Sequence, residues 1–76
     1  MKNNYPTITI SKEGETWLQK GQMWMYRNNL VQADENISDG CIVNIISTDG
    51  TYYGTGFYSP ISHITCRILT KDESEL

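Results

Sequence analysis

The chain has 76 residues, 38% of them hydrophobic, with five Tyr, two Trp and one Phe, which is enough for one domain with one small core and excludes a disordered segment. A chain of this size buries only about 60% of the surface it would expose unfolded, so modest stability is expected. Six Lys/Arg against nine Asp/Glu give a net charge of −3, which excludes a strongly basic nucleic-acid binder with a long-range electrostatic funnel.

Tyr5-Pro6-Thr7-Ile8-Thr9-Ile10 alternates and is rich in β-branched residues, so it reads as a first strand with proline at its start. Ser11 is placed to cap a short helix running to Lys20, with Glu13 and Glu15 in its first turn, where the helix dipole favours acids. Gly14 lowers helix propensity, so the helix depends on packing through Trp17, Leu18 and Met23. Gly21 stands where a helix stops in the left-handed conformation. Trp24 to Tyr26 is a short strand or turn, and Leu30 to Ala33 a second brief strand. The polar loop Asp34 to Gly40 leads into Cys41 to Ile46, apolar on both faces apart from Asn44, as in a strand inside a barrel. Asp49-Gly50 is the strongest hairpin signal. Tyr52 to Tyr58 returns, Ser59-Pro60 turns, and Ile61 to Leu69 forms the last strand. Five or six mostly antiparallel strands with one helix between the first two make a mainly β small barrel.

On the last strand Ile64, Cys66 and Ile68 are expected inside, leaving His63, Thr65 and Arg67 on the outer face. Gly54 and Gly56 are read as marking bulges or a tight barrel corner. Cys41 and Cys66 fall in apolar runs and are read as two buried thiols without a disulfide. With His63 they make three candidate ligands at unsuitable spacings, so no metal site is expected. No nucleophile and base are paired, so no catalytic residue is assigned.

Charge and aromatic placement carry the functional signal. Asp72, Glu73 and Glu75 crowd the last five residues, so Met1 to Lys71 balances six Lys/Arg against six Asp/Glu and leaves room for a local basic strip. Tyr26-Arg27-Asn28-Asn29 places an aromatic ring beside a cation and two amides, the set that looped or single-stranded RNA needs for stacking, phosphate contact and base-edge reading. Trp24 and Trp17 are expected in the core, Trp24 having base stacking as its alternative. Arg27 is expected to contact RNA or a neighbouring domain. No apolar run approaches the roughly 20 residues of a membrane span and the start Met1-Lys2-Asn3-Asn4 is polar, so a cytoplasmic location without membrane partners is expected.

Gly21-x-x-Trp24-Met25-Tyr26, then Gly54-x-Gly56 with Ser59-Pro60-x-Ser62-x-Ile64, then Arg67-Ile68-Leu69, form an ordered set covering about Gly14 to Thr70. In this order they resemble the PUA domain. More narrowly, they are similar to the N-terminal PUA module of bacterial SAM-dependent methyltransferases acting on cytosine C5 of large-subunit ribosomal RNA. The resemblance implies a β-pseudobarrel over residues 1–71, with 72–76 an acidic tail or the start of a linker to a methyltransferase region. It implies weak ribosomal RNA binding through Lys20, Gly21, Gln22, Met23, Tyr26 and Arg27, with Arg67 either a further contact or a structural ion pair. For Gly21 the missing side chain would admit a phosphate, beside its equal reading as a helix stop. Departures stand at Gln22-Met23, where the family has His-Pro, and at Asn29, where it has an acid. No cofactor loop is present, so this chain alone is expected to be no enzyme. SAM and the catalytic domain of the same parent chain are the implied cofactor and partner of a longer protein. Interdomain docking with little RNA contact, or a stand-alone protein-interaction barrel, are the alternatives.

Overall fold

The computed structural model describes residues 4–71. Strand β1 (Thr7–Ile10) leads to helix α1 (Lys12–Gln19), β2 (Trp24–Tyr26), a 3-10 turn (Arg27–Asn29), β3 (Leu30–Ala33), β4 (Cys41–Ser47), β5 (Tyr52–Tyr58) and β6 (Ile64–Thr70). All six strands share one sheet in the order β2-β6-β5-β4-β1-β3, antiparallel throughout except for the β1–β4 pair. Its two edge strands, β2 and β3, are joined by the three-residue 3-10 turn alone, so the sheet must curl until its edges approach, giving a half-barrel. Among the described residues no helix is long and apolar enough to cross a membrane.

The ends of the elements follow local chemistry. Ser11 is extended (φ −74°, ψ 168°) and its Oγ accepts from the Gly14 N–H at 3.2 Å, which starts α1. At the far end Gly21 takes φ +100°. Its N–H donates to the Leu18 carbonyl at 3.1 Å and the Gln22 N–H donates to the Trp17 carbonyl at 3.1 Å, the paired bonds of a Schellman stop. In the β4–β5 hairpin Gly50 has φ +90°, and Asp49 accepts from the Ser47 hydroxyl and from the Thr51 amide and hydroxyl. These bonds, that from Ser47 foremost, hold the Asp49 carboxyl below its usual range. Strand β1 begins at Thr7 rather than Tyr5, because Pro6 has no N–H and its carbonyl is already taken by the Asn44 amide at 2.8 Å. Strand β6 begins at Ile64 rather than Ile61, since Ser59 to Ser62 closes a turn in which the Ser62 N–H donates to the Ser59 carbonyl.

The core is Ile8, Ile10, Leu18, Met25, Val43, Ile45, Tyr58, Cys66 and Ile68. Burial pushes the Cys66 thiol up to about 12. Both tryptophans depart from the expected core positions. Trp17 is 42% and Trp24 38% exposed. The buried face of α1 carries Gly14 and Leu18, four residues apart, and Trp17 lies one residue off it. Gly14 lets the helix sit close: a Cβ there would lie 3.0 Å from Met25 Sδ and 3.3 Å from Ile10 Cβ. In β2 the alternation turns Met25 inward opposite Cys66 and Trp24 outward opposite Arg67. Met23, expected on the apolar side of the helix, lies beyond its glycine stop and is 42% exposed.

Thr65 is also corrected. It is fully buried, because the β2–β6 register passes from Met25↔Cys66 to Tyr26↔Ile64 and leaves Thr65 as the extra residue of a bulge. Its hydroxyl donates to the Ser59 carbonyl at 3.1 Å, which satisfies it there. Gly56 is dictated by packing, since a Cβ would fall 2.0 Å from the Arg67 carbonyl oxygen.

Candidate nucleic-acid interface

The expected site residues other than Arg67 run from the end of α1 through edge strand β2 into the 3-10 turn, and this stretch is pinned to β6. The Lys71 ammonium donates to the Leu18 carbonyl at 2.9 Å, tying the end of β6 to the C-terminal carbonyls of the helix, where a cation is favoured. The Ile68 N–H donates to the Met23 carbonyl at 2.8 Å and the Arg27 N–H to the His63 carbonyl at 3.0 Å. Lys20, Gly21, Gln22, Met23, Tyr26 and Arg27 therefore form one continuous strip along the β2 side of β6. Gln22 Nε2 donates to the Trp24 carbonyl at 2.7 Å, bracing the turn between helix and strand.

Within the strip the side chains differ in freedom. Lys20 places its Nζ 5.4 Å from the centroid of the exposed Trp17 ring, a cation–π geometry that leaves the ammonium in water. Arg27 is exposed, and its guanidinium reaches the Ser62 carbonyl at 3.4 Å. Tyr26 is half-buried, with its ring tilted 48° against His63 at 5.4 Å between centroids. Asn29, grouped in sequence with the RNA-facing amides, is only 2% exposed; it packs beside Gly14, and its Oδ1 has no hydrogen-bond partner. It therefore belongs to the packing under α1 and cannot read a base edge.

Arg67 sits one strand in from the edge, directly opposite Trp24 on β2 and Phe57 on β5. It is exposed and has no carboxylate partner among the described residues. Phe57 is 46% exposed and Leu69, two residues along from Arg67, also 46%. None of the acidic residues lies on β2, β5 or β6; among the described residues they occupy α1, the β3–β4 loop and the β4–β5 turn. The neutral body is thus polarised, with Lys20, Arg27, Arg67 and Lys71 around the β2–β6 side. Among the described residues there is no enclosed pocket and no group of three or more metal-ligating side chains.

Sequence reasoning missed Phe57 and Lys71, and held base stacking by Trp24 only as the alternative to the core. Phe57 was open to discovery, because Tyr52, Gly54, Gly56 and Tyr58 share one parity on β5 and leave Phe57 on the other. The two readings of Trp24 stay undecided in the sequence, since a three-residue strand is too short for its alternation to be phased.

The sequence matches the family of PUA-like domains over residues 8–71. The chain belongs to the PUA-like domain family. It is 28% identical over 72 residues to the ribosomal RNA large subunit methyltransferase I of Salmonella arizonae, covering 95% of this chain and 18% of that protein. The enzyme of the same name from Klebsiella pneumoniae strain 342 is 25% identical over 71 residues. This PUA-like chain therefore spans about 18% of the length of the curated relatives it matches. Among solved structures, NSun6 from Pyrococcus horikoshii superposes with a TM-score of 0.78 at 20% identity, over all of this chain and 23% of that one. SMU.776 in complex with SAH superposes at 0.68 and 15% identity over 92% of this chain and 18% of that one. At those identities the likeness is one of fold.

Proposed function

We propose that this PUA-like domain is an RNA-binding module that helps a SAM-dependent methyltransferase, acting on cytosine C5 of large-subunit ribosomal RNA, to find its site. The observation that carries the reading is the strip itself: Lys20, Arg27 and Arg67 gather around β2 and β6, two strands that carry no acidic residue, beside an exposed glycine turn. Relatives named for ribosomal RNA methylation support the choice of RNA. Lys20, Arg27 and Arg67 would meet phosphates, Tyr26 and Met23 would pack on sugar or base, and Gly21 with Gln22 would let the backbone come close. SAM and the methyl-transfer chemistry would belong to another part of a longer chain, with this domain contributing position alone.

Three phosphate contacts at about −0.7 each give a slope of about −2 in log K against log salt. Fluorescence anisotropy of a labelled looped ribosomal RNA fragment, titrated with the 76-residue chain at several salt concentrations, should return that shallow slope. Arg27→Ala should weaken binding without unfolding the domain, whereas Glu35→Ala should not. Absence of binding at millimolar concentrations of the chain would refute the reading. In its place would stand docking onto the catalytic region of the same parent chain, which the exposed Met23, Trp24 and Leu69 also suit.

A further inference from the structure

The outer faces of β2, β6 and β5 carry a row of side chains that the basic strip leaves unexplained. Trp24, Arg67 and Phe57 are direct cross-strand partners: Trp24 faces Arg67 in the β2–β6 ladder, and Arg67 faces Phe57 in the β5–β6 ladder. Directly opposed residues in an antiparallel pair point to the same face with Cβ atoms about 4.5–5.5 Å apart. The Cβ atoms of Trp24 and Phe57 therefore stand about 10 Å apart, with that of Arg67 between them. All three are solvent-exposed, Trp24 at 38% and Phe57 at 46%. Burying a large aromatic is favourable, so two exposed rings in one row, in a chain with so small a core, call for a partner.

The chemistry of the row selects among partners. An apolar protein surface would leave Arg67 desolvated in the middle, with no carboxylate on β2, β5 or β6 to receive it. A nucleic acid with unpaired bases satisfies all three groups together. Each ring takes a base on its face, and the guanidinium between them meets the linking phosphate or stacks in its turn. A continuous duplex keeps its bases stacked on each other and offers the rings nothing. We propose that Trp24, Arg67 and Phe57 form a stacking platform for two unpaired nucleotides, so that this domain reads single-stranded or looped RNA rather than a helix. This inference rests on the RNA-binding reading and narrows its ligand to an unpaired segment lying across β2, β6 and β5, beside the strip.

The test separates the platform from RNA binding itself. The probe is a short hairpin RNA with an all-adenosine loop, compared with the same hairpin carrying abasic loop sites and with a blunt RNA duplex. In the Trp17→Phe background Trp24 is the sole tryptophan, and the adenosine loop should quench its emission while the abasic loop and the duplex should not. Trp24→Leu and Phe57→Leu preserve apolar surface but remove the ring, and each should weaken loop binding about tenfold. Trp24→Tyr and Phe57→Tyr keep a ring and should stay within a few-fold of the parent. Loop binding that depends on Arg27 yet is unchanged by either leucine substitution, with no quench at Trp24, overturns the platform and leaves RNA binding standing. Absence of any RNA binding by the parent chain overturns both.

Discussion

Replacing Gly56 by alanine tests how closely β5 and β6 approach. An ideal Cβ at this position lies 2.0 Å from the Arg67 carbonyl oxygen, 2.8 Å from its carbon and 2.9 Å from Ile68 Cα. Each of these is backbone, so no side chain can rotate away. An unstrained carbon–oxygen contact is about 3.3 Å, and β6 would have to retreat by more than about 1 Å. Because Gly56 pairs with both Ile68 and Val43, β5 is held from both sides. Overpacking of this kind typically destabilises by about 1–3 kcal/mol. Loss of two neighbouring ladder bonds would add about 1–3 kcal/mol more. The sum, about 2–6 kcal/mol, is a large share of the roughly 4–11 kcal/mol expected for a domain of this length. Urea unfolding followed by tryptophan fluorescence and far-ultraviolet circular dichroism should show the midpoint falling steeply or the folded baseline lost. A loss below about 1 kcal/mol would mean that the two strands are not in the close contact described, and would refute the assignment of Gly56 as a packing glycine.

Three further outcomes follow from the same structure. Met25→Ala, emptying a fully buried site, should lower stability by about 2–5 kcal/mol, whereas Trp24→Ala should lose less than half as much; urea midpoints in the reverse order would put Trp24 back in the core. Gly21→Ala meets no neighbour but must hold φ +100°, so it should destabilise by about 1–2 kcal/mol in thermal unfolding, and a neutral result would deny the left-handed helix stop. The Cys66 thiol is raised to about 12, so the folded state retains its proton where the unfolded state has lost it. Its contribution is complete below about pH 9 and declines as pH rises towards 12, at up to about 1.4 kcal/mol per pH unit. Cys66→Ala should flatten that alkaline decline in urea midpoints, and an unchanged pH profile would refute the burial argument.

Much of the fold is legible because its signals are local. Ser11, Gly21 and Asp49-Gly50 specify a cap, a stop and a hairpin through their own backbone chemistry, and each stands where the chain requires it. The β5 boundaries are legible for a similar reason, since Tyr52 to Tyr58 is bounded by turn residues on both sides. What the sequence conceals is phase. A single-residue bulge buries Thr65, and a three-residue strand exchanges Met25 for Trp24 in the core. Neither outcome has a cue shorter than the full β2–β6 ladder. The site inherits the same difficulty. Lys20, Arg27 and the glycine turn are visible as a run of residues, but Phe57 joins Trp24 only through Arg67, across strands far apart in the chain.

The most direct test of RNA binding at the β2–β6 side is an amide chemical-shift map of the 76-residue chain. It would be recorded at low salt with a looped ribosomal RNA fragment and with a DNA duplex as control. The account predicts shifts from Lys20 to Arg27 and at Phe57 and Arg67, small shifts with the duplex, and none along the acidic β3–β4 loop from Asp34 to Gly40. Shifts confined to that loop and β3, or no shifts at millimolar RNA, would contradict it.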